Sequence, residues 1–150
     1  MIAVDTNILV YAHRADMPQH EVAFPMLAGL VEGNVPWALP WPCVHEFFAS
    51  VTSTKWKVPT TPSRALTVLN EITNSPRVQI IGEGVDHLEI LTGLVESAGV
   101  RGGSIHDARI AAICIAHGVN KLLTADRDFS RFPTLKTHNP FIQTHDRRRH

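Results

Sequence analysis

Short apolar runs alternate along this chain with longer stretches of helical periodicity. Ile2-Ala3-Val4 has the pattern of a short buried strand and runs directly into Asp5-Thr6-Asn7. Ile8, Leu9, Val10 and Ala12 follow at helical spacing, with Thr6 or Asn7 as the helix start. Asp16-Met17-Pro18 predicts a second helix, because proline suits a first turn. That helix carries Val22, Phe24, Met26, Leu27, Leu30 and Val31, with Pro25 marking a kink or a late start, and Gly33-Asn34 stops it. Residues 35–39 predict a second strand, kept short by Pro36 and Pro40. Pro42 opens a third helix with Val44, Phe47, Phe48 and Val51 on its apolar side and Glu46 inside it.

The second half repeats the alternation. Thr61-Pro62 is a cap followed by a first-turn proline, and Leu66, Leu69 and Ile72 continue at helical spacing to Asn74-Ser75-Pro76. Val78–Ile81 reads as a strand closed by Gly82. Residues 85–98 read as a helix with Leu88, Leu91, Leu94 and Val95 inward and Gly99 at its end. After the loop Arg101-Gly102-Gly103, residues 104–117 form a helix apolar nearly all round, the mark of a buried central helix. Residues 121–125 predict the next strand and 135–137 an edge strand. Strands that alternate with helices imply a parallel sheet covered on both faces. No repeat, linker or low-complexity segment interrupts the pattern. The expectation is one α/β domain over residues 1–141, followed by a polar basic tail over 142–150.

Bulk properties narrow the choice of function only a little. With 150 residues, 44% of them hydrophobic and 19% charged, the chain suits one soluble domain with a real core. Its formal net charge is zero, so a polyanion must be met by a local patch and not by a global field. Cys43 and Cys114 stand far apart in no metal-ligand spacing and read as buried, reduced thiols. No apolar run reaches the roughly 18 residues of a membrane span, and no basic segment leads into an apolar core at the start. The expected setting is the cytoplasm, without membrane association.

The chemistry is concentrated in carboxylates. Leu122-Leu123-Thr124-Ala125-Asp126-Arg127-Asp128-Phe129 brings a strand to an end on acids, as Ile2-Ala3-Val4-Asp5 does. In open parallel sheets ligands bind beyond the carboxyl ends of the strands, so the two tips can aim acids at one spot. Clustered carboxylates repel, and a divalent cation with oxygen ligands relieves that repulsion. Each acid also has a plainer role. Asp5 and Asp126 suit turns and helix caps, Glu46 a solvated helix face, and Asp107 a capping box with Ser104. At a helix N-terminus, however, Asp107 is favoured in its ionised form. Thr124, two residues before Asp126 on the same strand face, is placed to orient an acid or a water.

These segments together resemble PIN-domain ribonucleases, specifically VapC-type toxins of type II toxin–antitoxin pairs. The resemblance rests on Ile2-Ala3-Val4-Asp5-Thr6-Asn7-Ile8-Leu9, Glu46-Phe47, Ile105-His106-Asp107-Ala108-Arg109-Ile110-Ala111-Ala112 and Leu123 to Phe129, in the family's order. It implies a PIN-like three-layer fold with a central parallel sheet of four or five strands flanked by helices. It implies a catalytic set of Asp5, Glu46, Asp107 and Asp126, with Asp5, Asp107 and Asp126 on the metal. Thr6, Asn7, Thr124 and Asp128 would support them. The implied activity is Mg²⁺- or Mn²⁺-dependent endoribonuclease cleavage of RNA. The implied partners are a cognate VapB-type antitoxin and a second copy of the chain in a homodimer. An antitoxin groove is expected near Tyr11, Phe24, Phe47 and Phe48.

An oxygen-ligated ion lowers the pKa of a water and neutralises charge on a scissile phosphate, and a spare carboxylate, Glu46 or Asp128, takes the water's proton. Arg14, Arg109 and Arg127 flank site segments and are the candidate phosphate contacts, with Lys55 and Lys57 a weaker pair. Two other functions compete. A haloacid-dehalogenase-like phosphatase also begins with a strand ending in Asp, but it needs a second acid where Asn7 stands. A catalytically silent PIN-fold binding module would lack one of the site acids.

Overall fold

A computed structural model describes residues 1–142. Five parallel strands form one sheet in the order β3-β2-β1-β4-β5. They are β1 (Ile2–Val4), β2 (Trp37–Pro40), β3 (Val78–Ile81), β4 (Lys121–Leu123) and β5 (Lys136–His138). Six α-helices flank the sheet: α1 (Thr6–His13), α2 (His20–Glu32), α3 (Trp41–Val51), α4 (Pro62–Thr73), α5 (His87–Ala98) and α6 (Ile105–Ala116). They pack in two groups: α1 against α2 and α3, with α4 on α3, and α5 against α6. The expected architecture is therefore met, with five strands. Of the expected tail only Ile142 lies among the described residues.

The strand order fixes where a ligand can sit. From β1 the chain steps outward through β2 to β3, then returns to the other flank of β1 for β4 and β5. Ile2, Ala3 and Val4 lie beside Lys121, Leu122 and Leu123. The connections thus diverge between β1 and β4, and the crevice at such a switch point is where open α/β sheets bind ligands. Asp5 follows β1 there and Thr124 follows β4. The Asp5 N–H donates to the Leu123 carbonyl at 3.0 Å, and the Thr124 N–H donates to the His138 carbonyl at 3.0 Å.

The core explains most of the local choices. Ala3, Val4, Trp37, Ala38, Leu39 and Leu122 are completely buried, as a sheet covered on both faces requires. Helix α6 buries Ala108 and the run Ile110 to Cys114, which makes it the central helix that its composition predicts. Both cysteines are free and buried. Some boundaries differ from expectation. Pro36 has no N–H to give, so the ladder of β2 begins at Trp37, which donates to the Arg77 carbonyl, while Val35 is left exposed. Helix α2 starts at His20, after turns and a bend over residues 15–19, and it carries Pro25 in its interior. Helix α5 starts at His87, two residues after the expected start at Val85, and buries no residue fully; Leu88, expected to face inward, is exposed.

Candidate active site

Four elements deliver an acid to one cavity of about 350 Å³ at the carboxyl edge of the sheet, lined by Asp5, Glu46, Asp107 and Asp126 among others. Asp5 comes from the tip of β1 and Asp126 from just beyond β4. Glu46 comes from α3. Cys43, Phe47 and Val51 form that helix's fully buried stripe, so Glu46 and Ser50, one turn apart, fall on the neighbouring stripe and reach the cavity. Asp107 sits in the first turn of α6. The expected capping box is not made. Ser104 makes no side-chain cap to α6; its hydroxyl donates to the Arg101 carbonyl and accepts from the Arg101 N–H. Asp107 is therefore not tied up as a capping acid.

Asp5 is the fixed point of the site. It is 4% exposed. Its Oδ1 accepts the Thr6 N–H at 2.7 Å and, at 3.7 Å, the thiol of Cys43. Its Oδ2 accepts the Thr124 hydroxyl at 2.7 Å and the Asn7 amide at 3.2 Å. Burial pushes the Asp5 carboxyl above its ordinary value. The bonds from Thr124 and Thr6 pull it back, and the charges of Glu46 and Asp126 push it up again.

Thr124 and Asn7 tie the two strand tips together. The Thr124 hydroxyl donates to Asp5 and accepts the Asp126 N–H at 3.0 Å and the Asn7 amide at 3.2 Å. The Asn7 carbonyl oxygen accepts the Ala125 N–H at 3.1 Å. Thr6 donates its hydroxyl to Glu46 Oε2 at 2.6 Å. Asp126 Oδ1 in turn accepts the Asp128 N–H at 2.9 Å, which starts the short 3₁₀ turn Arg127–Arg131.

Three acids stand closest to one another: Asp107, Asp126 and Asp128 each offer an oxygen, all within 4.8 Å. That spacing and the all-oxygen donor set fit a hard divalent cation. Burial, followed by the charges of Asp126, Asp5 and Asp128, pushes Asp107 up to about 6. A carboxyl held this high without a counter-charge is what a site assembled to receive a cation looks like. Asp128, expected as a supporting residue or as the base, belongs to the tightest oxygen group, whereas Asp5 lies on the same cavity with both oxygens already accepting hydrogen bonds.

The basic candidates divide. Arg14 was expected to face RNA, but it is 8% exposed: its guanidinium pairs with Asp16 at 2.8 Å, donates to the Val58 carbonyl at 2.9 Å and lies 4.0 Å from the Trp56 ring centroid. It is a buried strut for the loop after α3. Arg109 is bound to Glu83. Arg127 is exposed and lines the shallow pocket beside the Asp126 loop. The aromatic candidates also move. Phe47 is completely buried, and Tyr11 lines the acidic cavity. Only Phe24 of the expected four lines the apolar groove between α1, α2 and α4, with Leu9, Leu27, Val31, Val68 and Ile72. Trp56, Met17 and Ser50 on the acidic cavity went unforeseen; the one available signal was an aromatic set between Lys55 and Lys57.

The PIN domain family model matches residues 2–135, and the chain belongs to that family. Within it the chain stands with the VapC ribonucleases. It is 32% identical to a VapC ribonuclease of Mycobacterium bovis and to ribonuclease VapC43 of Mycobacterium tuberculosis, over 97% of this chain and 99% of each relative. Among solved structures, VapBC2 of Rickettsia felis, bound to a DNA fragment from its promoter, superposes with a TM-score of 0.66 at 25% identity, over 93% of this chain and 98% of that one. VapC20 of M. tuberculosis, described as a sarcin–ricin loop cleaving toxin, superposes with a TM-score of 0.66 at 19% identity, over 87% and 93%.

Proposed function

We propose that this chain is the endoribonuclease toxin of a toxin–antitoxin pair and hydrolyses RNA phosphodiester bonds with Mg²⁺ or Mn²⁺. One observation carries the reading: acids from four separate elements converge on the switch-point crevice of a PIN fold. Asp107, Asp126 and Asp128 would hold the cation, and Asp5 adds charge from the cavity floor. Bound there, a divalent ion supplies a lowered water pKa and neutralises charge on the phosphate. Thr6 engages only Oε2 of Glu46, so Oε1 remains to accept a proton from the attacking water. The water oxygen would bond to phosphorus in line with the departing ribose oxygen; that P–O bond breaks, and the ribose oxygen takes a proton from solvent.

The rival readings lack support from the geometry. Asn7 holds the two strand tips together with its amide, and so does no acid chemistry at the position a phosphatase requires. A silent binding module needs no convergence of carboxylates. The partner is a VapB-type antitoxin, seated with an apolar segment in the groove of Phe24, Leu27 and Val68; half of Phe24 is exposed there. The working assembly is a homodimer in the cytoplasm; among the described residues no helix is long and apolar enough to cross a membrane. The test is cleavage of total RNA by the purified chain with Mg²⁺, Mn²⁺ or excess EDTA, with the cut ends sequenced. Discrete cuts that chelation abolishes support the reading. RNA left intact with either ion by folded protein refutes it.

A further inference from the structure

The acidic cavity has a second wall of a different kind. Opposite in character to the carboxylates are Val10, Tyr11, Met17 and Trp56, all lining the same space as Asp5, Glu46, Asp107 and Asp126. A cation and a phosphate have no use for an apolar aromatic wall, yet a nucleobase beside that phosphate does. Trp56 is held as a rigid plate. Its indole N–H donates to the Ser50 carbonyl at 2.8 Å, and the Arg14 guanidinium covers one ring face at 4.0 Å from the centroid. Arg14 is itself fixed by Asp16 and Val58. The ring therefore cannot swing away to improve its own burial, and it remains only half-buried. Lys55 and Lys57 on either side are exposed, and neither enters an ion pair among the described residues. Exposed cations next in the chain to an aromatic plate suit single-stranded nucleic acid, which stacks bases on aromatic rings and runs its backbone along positive charge.

We propose that Trp56 is the stacking platform for the unpaired nucleobase next to the scissile phosphate, with Tyr11 and Met17 closing the base pocket. This inference rests on the ribonuclease reading of the cavity. It deepens that reading by naming a residue of this chain that seats the substrate beside the acids. Trp56 acts by positioning, because a seated base fixes the adjacent phosphate over the acids. Aromatic stacking tolerates any base, so Trp56 selects for unpaired structure more than for sequence.

The test uses the full chain and a short RNA hairpin whose loop carries the cleavage site, with 2-aminopurine or an abasic unit placed at each loop position in turn. In Asp126→Asn protein, which binds without cutting, 2-aminopurine next to the cut should lose fluorescence on binding, and Trp56→Leu should abolish that loss. In the cutting-competent chain, Trp56→Leu should lower kcat/KM by about 10- to 100-fold, while Trp56→Phe, which keeps an aromatic face, should retain most of the activity. Removing the base next to the cut should harm the unsubstituted chain by a similar factor and leave Trp56→Leu unaffected. Thermal melts identify any variant that fails to fold, and Trp56→Phe then carries the comparison. A cutting chain whose abasic penalty is the same with and without Trp56 overturns the platform and leaves the ribonuclease reading intact. RNA left uncut by the folded, unsubstituted chain with either ion overturns the ribonuclease reading and the platform with it.

Discussion

The Thr124 hydroxyl lies 2.7 Å from Asp5 Oδ2, and the two residues are 119 positions apart. This one contact joins the tips of the two central strands. With three groups on one hydroxyl oxygen, Thr124 orders Asp5, Asn7 and Asp126 together. Thr124→Val keeps the shape and removes the hydroxyl. Leaving a buried polar group unpaired costs roughly 1–3 kcal/mol, so the melting temperature should fall by about 5 °C or more. Cleavage should fall about 10- to 100-fold, as for other residues that orient metal-binding acids. Thr124→Ser should recover both, in calorimetry and in a cleavage assay.

Asp126→Asn should lower cleavage by at least about 100-fold with the circular dichroism unchanged, since direct loss of a cation ligand exceeds loss of its support. Asp5→Asn should be inactive as well, but for a second reason. Every recorded neighbour of the Asp5 oxygens is a donor, so an amide NH₂ there meets a donor. A fall in melting temperature is expected for Asp5→Asn and none for Asp126→Asn.

Asp107→Asn should raise the stability of the cation-free protein at neutral pH. The Asp107 carboxyl titrates near 6 when folded and near 3.9 when unfolded. Its contribution to stability is thus fully present below about 3.9 and is lost as pH rises through about 6. The advantage of Asn over Asp should be about 1 kcal/mol at pH 7.5, once screening at a half-exposed group is allowed for. It should shrink toward zero near pH 4. His13 pulls the other way, because burial and then Arg64 and Arg14 lower it. The comparison is therefore made between the two proteins at each pH in EDTA, and an advantage that grows on acidification would contradict it.

Arg14→Ala should behave as a folding lesion. Its side chain is 9% exposed, while its partner Asp16 is 58% exposed and simply returns to water. What is lost is the packing against Trp56 and the bond to Val58. A fall of roughly 2–3 kcal/mol is expected. Arg127→Ala, on an exposed residue, should leave the melt unchanged and reduce the salt dependence of RNA binding by about one phosphate contact.

The fold was legible because its signals are local and repeated. Thr61-Pro62 predicted a helix start, and the Thr61 hydroxyl does accept the Arg64 N–H at 3.2 Å. Val78–Ile81 and Ile2–Val4 are largely apolar runs closed by Gly82 and Asp5, residue types depleted in strands. Asp5 and Asp126 could be read because each terminates an apolar run, and position on a strand tip follows from period alone. Arg14 misled because a positive charge beside a site segment looks the same whether it faces solvent or a tryptophan 42 residues later. Trp56 was silent for the same reason: its place on the cavity depends on a loop after α3 whose path no local pattern dictates. Leu88 was misplaced because helical spacing defines a stripe, and the stripe of α5 is wider than the neighbour that covers it.

The seating of β4 beside β1 has a consequence for timing. Asp5 is made well before Asp126, and they meet only when Leu123 has been laid against Val4. Until then β1 has an open flank and the crevice has one side. A chain cut short before β4 cannot assemble the acidic cavity. For an enzyme aimed at RNA this is a built-in delay. The acids come together in the single step in which β4 docks on β1, so a partner already present meets the enzyme at the moment its site is complete.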